Sequence, residues 1–225
     1  MSDVLVRASG LRRAFGNGHG AVVAIAEATF EVRAGDRIAL VGSSGSGKTS
    51  LLHLIAGIDR PTGGTIEWPA LGRREDLRPG PVAFAFQGPS LLPPLTVEEN
   101  VALPLLLAGR PPAAAAAAAQ VMIGKLGLSD VAPKLPEEIS GGQAQRAGVA
   151  RALVGEPSLV LADEPTGQLD SGTALALMDV LLHQVESTGA ALIVATHDAA
   201  MADRLPLRWS MNDRRLQTGE VQRLL

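Results

Sequence analysis

Eight consecutive residues, Gly42, Ser43, Ser44, Gly45, Ser46, Gly47, Lys48 and Thr49, have the types and spacing needed to hold a polyphosphate. They fit G-x-x-x-x-G-K-[ST]. Glycines at 42, 45 and 47 let the backbone curl until successive N–H groups point inward at one anion. Lys48 would then reach the β- and γ-phosphates, and the Thr49 hydroxyl would offer a ligand to Mg²⁺. Two other stretches suit the same chemistry. Asp163 and Glu164 follow a wholly apolar run, and paired carboxylates at such a tip serve Mg²⁺ and an attacking water. Ser140, Gly141, Gly142 and Gln143 combine capping-box spacing with two glycines in a first helical turn. Each glycine there costs about 1 kcal/mol against alanine; a plain cap does not need them, whereas close approach to a phosphate does.

These residues have to be carried by strands and helices. Residues 36–41 read as a short strand and Thr49–Ile58 as a helix burying Leu51, Leu52, Ile55 and Ile58, so the glycine loop lies between strand and helix. The positive end of that helix adds to the loop's field. Val4–Ala8 and Thr29–Val32 read as short strands around a polar turn at 16–20. Thr65–Trp68 reads as a further strand, and residues 69–81 as a polar loop. Val82–Phe86 reads as a buried strand ending at Gln87, with a break at Gly88-Pro89. From Ser90 the composition turns helical. Thr96 and Glu99 form a capping box, Pro104 interrupts the helix that follows, and Pro111-Pro112 opens another over the alanine run 113–119. A helix follows Ser140 to Val154. Ser158–Ala162 and Ala190–Ala195 are fully apolar strands, the second leading into Thr196, His197 and Asp198. Asp170 reads as the cap of a helix over 171–187, and edge elements are expected at 207–211 and 216–221. Polar tips at the carboxyl ends of interleaved strands indicate a parallel sheet with its ligand along that edge.

The chain has 225 residues, net charge −3, 46% hydrophobic content and no cysteine. That excludes disulfides and thiolate chemistry, and the charge argues against nucleic acid as a partner. The first residues lack an apolar signal core, and no run of 18 apolar residues occurs, so neither export nor membrane crossing is expected. Phe15, one of only six aromatic residues, is the natural candidate to stack on a base. His19, His53 and His183 match no motif, and Trp68 and Trp209 read as packing residues.

Phe15, the 42–49 loop, Gln87, ISGGQ at 139–143, VLADEPTGQLD at 160–170 and His197, in this order, resemble the ATP-binding cassette ATPases. The segments LADEPTG and LLPPLTVEENVALPLLL resemble the subgroup containing lipoprotein-release, macrolide-efflux and cell-division ATPases. Ile139 stands where leucine is usual, Phe15 where tyrosine is common, and the segment between Gly64 and Gln87 is shorter than in many of these relatives. The resemblance implies an α/β fold with a P-loop (RecA-like) core, a mainly parallel sheet, a small antiparallel β subdomain and an inserted helical subdomain. It implies one nucleotide-binding domain over 1–225, with core at 1–87 and 155–225 and helical subdomain at 88–154.

It further implies ATP and Mg²⁺ as ligands, and a head-to-tail dimer in which the 42–49 loop faces residues 140–143 of a second copy. Asp163 would orient Mg²⁺, Glu164 would polarise the attacking water, and His197 would contact the γ-phosphate. Gln87 would sense Mg²⁺ and water, Ser50 would complete the phosphate-binding set with Lys48 and Thr49, and Asp170 would bridge the dimer. The partner would be a separate membrane permease docking near Leu91, Leu92, Leu95 and Leu103–Leu107, with the ATPase on the cytoplasmic face. The rivals are a soluble cassette ATPase of DNA repair or translation, disfavoured by the acidic charge and absence of heptads, and a non-hydrolysing ATP-gated module, disfavoured by Glu164 and His197.

Overall fold

The computed structural model describes residues 3–16, 18–88 and 90–220. In chain order the elements begin with β1 (Val4–Phe15), β2 (Val22–Arg33), β3 (Arg37–Val41), α1 (Lys48–Ile55) and β4 (Gly63–Glu67). There follow β5 (Val82–Ala85), α2 (Val97–Leu107), α3 (Pro112–Lys125), α4 (Gly141–Leu153) and β6 (Leu159–Asp163). The chain continues with α5 (Ser171–Thr188), β7 (Ala191–Thr196), α6 (Ala199–Ala202), β8 (Leu207–Asn212) and β9 (Arg215–Glu220). Two units are formed, one from the chain up to Leu77 together with Ala191 onward, the other from Arg78–Ala190. No helix among the described residues is long and apolar enough to cross a membrane.

In the first unit the strands run in the order β4-β1-β2-β9-β8-β3-β7. The β4-β1-β2 part is antiparallel, whereas β3 is parallel to both β7 and β8. Ile38, Ala39 and Leu40 of β3 and every residue of β7 are buried, as a strand covered on both faces requires. Val41 lies opposite Thr196 on one side and Ser210 on the other, so the segments after β3 and β7 leave the same sheet edge. Helix α1 stops three residues short of Ile58, because Gly57 takes a left-handed φ of 65° and ends the turn. Trp68 packs as expected, with its Nε1–H donating to the Ile55 carbonyl at 2.8 Å, and Trp209 lies 5.0 Å from Phe30 between ring centres.

The first two strands are twelve residues each, far longer than the short strands read at 4–8 and 29–32. Their pairing shifts register between Ala8 and Leu11 and again around Arg13. Such irregularities break the period-two alternation by which strands are recognised, while the pairing continues.

In the second unit β5 and β6 pair in parallel from Val82 with Leu159 to Ala85 with Ala162. Helices α2, α3 and α4 pack on one another. The alanine run is a helix whose Ala115, Ala119, Met122 and Ile123 form the inward stripe. The capping box at Thr96 and Glu99 is present. Pro104, however, does not end α2. The helix continues to Leu107, and Ala108 N–H closes it on the Pro104 carbonyl at 3.0 Å. Val97, Val101 and Leu105 bury one face on either side of the proline, and that packing outweighs one lost backbone bond.

Asn100 is wholly buried beneath this turn. Its Nδ2 donates to the carbonyls of Leu92, Leu95 and Thr96 at 3.1, 2.9 and 3.0 Å, and its Oδ1 accepts from Leu92 N–H at 2.7 Å. Replacing Asn100 by Ala removes these partners from a dry site. The expected loss is roughly 3 kcal/mol, read as a lower midpoint in urea unfolding; an unchanged midpoint would show that solvent reaches the loop.

Candidate nucleotide site

In the first unit the 42–49 loop runs from the end of β3 into α1. Ser46 N–H closes a turn on the Ser43 carbonyl at 3.2 Å. Gly47 has φ 106°, and a Cβ there would run into the Ala24 carbonyl; one at Gly42 would lie 2.7 Å from Ser46 Oγ and 2.8 Å from the Met211 carbonyl. Only glycine fits either place. Ser43, Ser44, Gly45 and Thr49 are exposed, while Lys48 is buried apart from 8% of its surface. Its Nζ donates to the carbonyls of Gly42 and Ser43 at 2.8 and 3.2 Å, which holds the ammonium across the loop. The Ser46 hydroxyl is buried without a protein partner. A fixed ammonium and an orphaned hydroxyl in a glycine loop fit a ligand that brings its own acceptor oxygens. Ser50 follows in the first turn of α1.

His197 leaves β7 beside the loop's own strand, as the register requires. Its neighbours fix the backbone there: Thr196 is buried and its Oγ1 accepts from Asp198 N–H at 3.0 Å, while Asp198 caps α6. The imidazole itself is exposed. Phe15 ends β1 and is 45% exposed, with surface left for a base. The Arg13 guanidinium sits 4.2 Å from the Phe15 ring centre and is held by Asp59 at 2.7 Å. Nothing in the sequence pattern singled out Arg13, since its partner is 46 residues away.

The second unit carries the remaining residues. Gln87, exposed, follows β5, and Asp163 is the last residue of the neighbouring β6, so both emerge at adjacent strand ends. Asp163 and Glu164 are 2% and 8% exposed. Glu164 has φ 46°, a left-handed conformation that costs a non-glycine residue about 1–3 kcal/mol and is met mainly at functional turns. Ser140 and Gln143 complete a reciprocal capping box at the tip of α4, where Ser140 and Gly141 are exposed.

A Cβ on Gly141 would come within 3.0 Å of Gln168 Oε1, and one on Gly142 within 3.0 Å of Leu169 Cδ2. The two glycines therefore have an intrachain reason besides any phosphate: the turn after β6 packs on them. Asp170 caps α5, accepting from Thr173 N–H at 3.0 Å. The Thr173 hydroxyl, and then that N–H, hold its carboxyl below the usual range. Two residues the motifs did not mark also lie here. Gln145 is buried behind the Glu164 turn, and Arg151 donates to the carbonyl and hydroxyl of Ser90 at 2.9 and 2.8 Å. Burial lowers the Arg151 pKa, yet a guanidinium stays charged.

A glycine loop with its lysine, a left-handed glutamate after an aspartate, and a capped glycine helix tip each suit phosphate chemistry. Residues 25–167 match the family model described as ABC transporter, and the chain belongs to that family: it is an ATP-binding, ATP-hydrolysing subunit of an ABC transporter. It is 39% identical over 220 residues to the lipoprotein-releasing system ATP-binding protein LolD of Hydrogenovibrio crunogenus, covering 95% of this chain and 96% of that one. Against LolD of Gluconobacter oxydans the identity is 41%, with 94% of each covered. Among solved structures it is similar to an ATP-binding cassette dimer in a post-hydrolysis state with ADP and Pi. There the TM-score is 0.89 and the identity 29%, over 97% of this chain and 99% of that one.

Proposed function

We propose that the chain is the ATPase of a lipoprotein-release type transporter, closing head-to-tail on a second copy around two ATP molecules to drive a separate membrane permease. It would act at the cytoplasmic face of the membrane through that permease. The relatives' names and the dimeric cassette support this reading. The observation that carries it is the exposed tip of α4, a capped helix end with two glycines, presented for the phosphates of a nucleotide held elsewhere.

In this reading residues 42–50 cradle the phosphates, with Lys48 on the β- and γ-phosphates, and Phe15 stacks on adenine. Glu164 takes the proton of the attacking water, and His197 holds the γ-phosphate as charge develops. Asp170 bridges the two copies near the opposite loop. The donor set of Thr49 hydroxyl, Asp163 carboxylate and Gln87 amide oxygen is all hard oxygen, which suits Mg²⁺. Among the described residues no group of three or more His, Cys, Asp or Glu could hold a metal by itself, and Mg²⁺ commonly relies on one or two carboxylates plus the substrate's phosphates. When bound, Mg²⁺ supplies neutralisation of phosphate charge; orientation and proton transfer are the work of the side chains above.

The permease would sit in an apolar groove of about 520 Å³ in the second unit, lined by Phe84, Phe86, Leu92, Leu103 and Leu107. Leu91, 8% exposed, belongs to the core and lies outside the lining, whereas Leu105 lines the groove though only 3% exposed, and Leu92 and Leu107, 43% and 66% exposed, are presented. Leu92→Asp places a charge in this groove. Co-purification with the native membrane partner should fall at least about 10-fold, while ATP binding by the isolated chain stays unchanged. Association at the wild-type level would remove the groove as the docking site.

A further inference from the structure

Gln145, a residue that no motif marks, is built into the turn after β6. It lies in the second turn of α4, 4% exposed. Its Nε2 donates to the Glu164 carbonyl at 2.8 Å, and its Oε1 accepts from Gln168 N–H at 3.0 Å. One amide thus spans both ends of the turn 164–168, which is closed internally by Gly167 N–H on the Glu164 carbonyl at 3.1 Å. The peptide it grips belongs to the residue with φ 46°. A strained backbone of this kind persists only where surrounding bonds over-determine it. The same turn meets α4 a second time, where Gln168 and Leu169 pack on Gly141 and Gly142.

We propose that Gln145 is a positioning residue for ATP hydrolysis: it fixes the Glu164 backbone to α4, so that the orientation of the water-polarising carboxylate follows the helix whose tip carries Ser140 and Gly141. The inference rests on the reading of Glu164 as the base. If the glutamate peptide rotates, the carboxylate swings with it, and misplacement by about 1 Å can cost about 10²-fold in rate. The amide does this in both directions: displacement of the α4 tip by a nucleotide on the other copy reaches Glu164 through two hydrogen bonds and a packed turn. A glutamine is suited to the task because it is both donor and acceptor and carries no charge into a dry site.

The test compares the full chain with Gln145→Met, which keeps the volume and removes both bonds, and Gln145→Glu, which keeps an acceptor for Gln168 N–H and loses the donor to Glu164. Steady-state hydrolysis with Mg²⁺ is read as kcat and KM separately, and ATP-induced dimerisation is followed by light scattering. For both variants kcat should fall about 10²-fold, KM should stay within about 2-fold, and the ATP-bound dimer should persist longer than in the wild type. A wild-type kcat accompanied by a lower melting temperature would make Gln145 a merely structural residue and overturn the proposal. So would wild-type kcat in Gln145→Glu, because the Glu164 link would then be dispensable. Glu164→Gln is the control: rapid hydrolysis by that variant would instead remove the base on which the inference stands.

Discussion

Replacing Glu164 by Gln should lower kcat for ATP hydrolysis by about 10³-fold, the scale of a positioned general base, and leave ATP affinity within a few-fold of wild type. The substitution keeps shape and polarity, so the turn at 164–168 and the clamp from Gln145 need not move. What disappears is the carboxylate proposed to take the water's proton. With binding intact and the chemical step blocked, ATP should drive the chain into a long-lived dimer, seen as a doubling of mass by light scattering. A variant that turns over rapidly would transfer the role of base away from Glu164. One that fails to bind ATP would show that the carboxylate acts in the ground state instead.

Lys48→Ala acts on the other step. Charge-assisted bonds to phosphate contribute about 1.5–3 kcal/mol each, so losing contact with two phosphates should raise the ATP dissociation constant by at least about 100-fold. Equilibrium titration with a fluorescent ATP analogue measures this directly. A local effect adds to it. Lys48 Nζ bonds the Gly42 and Ser43 carbonyls across the loop, and without it the cradle's two edges are no longer drawn together. Unchanged affinity would mean that the loop's amides hold the nucleotide unaided.

The residues proposed to carry chemistry stand out in the sequence because each lies in a local pattern. The cradle lies between an apolar strand and an amphipathic helix, and the capping boxes at Thr96 and Ser140 follow S/T-x-x-E/Q spacing. The apolar runs ending at Asp163 and Thr196 became buried parallel strands. What stayed hidden was set by contacts distant in sequence. The full length of β1 and β2 was obscured by register shifts that scramble alternation. The survival of α2 through Pro104 depends on Val101 and Leu105 finding neighbours outside the helix. Gln145 was illegible for a plainer reason: both of its partners are backbone atoms, at Glu164 and Gln168, and a glutamine inside a helix has no spacing to betray them. The glycines at 141 and 142 were noticed, but their packing against Gln168 and Leu169 is a property of the folded turn.

The in-step pairing of β3 with β7, Arg37 opposite Leu192 through Val41 opposite Thr196, makes chain length an inherited constraint in this unit. Deleting one residue from either strand would drag its tip back by about 3.3 Å and turn every side chain beyond it to the opposite face. The 42–49 loop and His197 would then no longer leave the sheet edge from adjacent positions, even with both motifs spelled correctly. Substitutions within the two strands can therefore be absorbed so long as they stay apolar, whereas insertions and deletions have to be displaced into turns outside them.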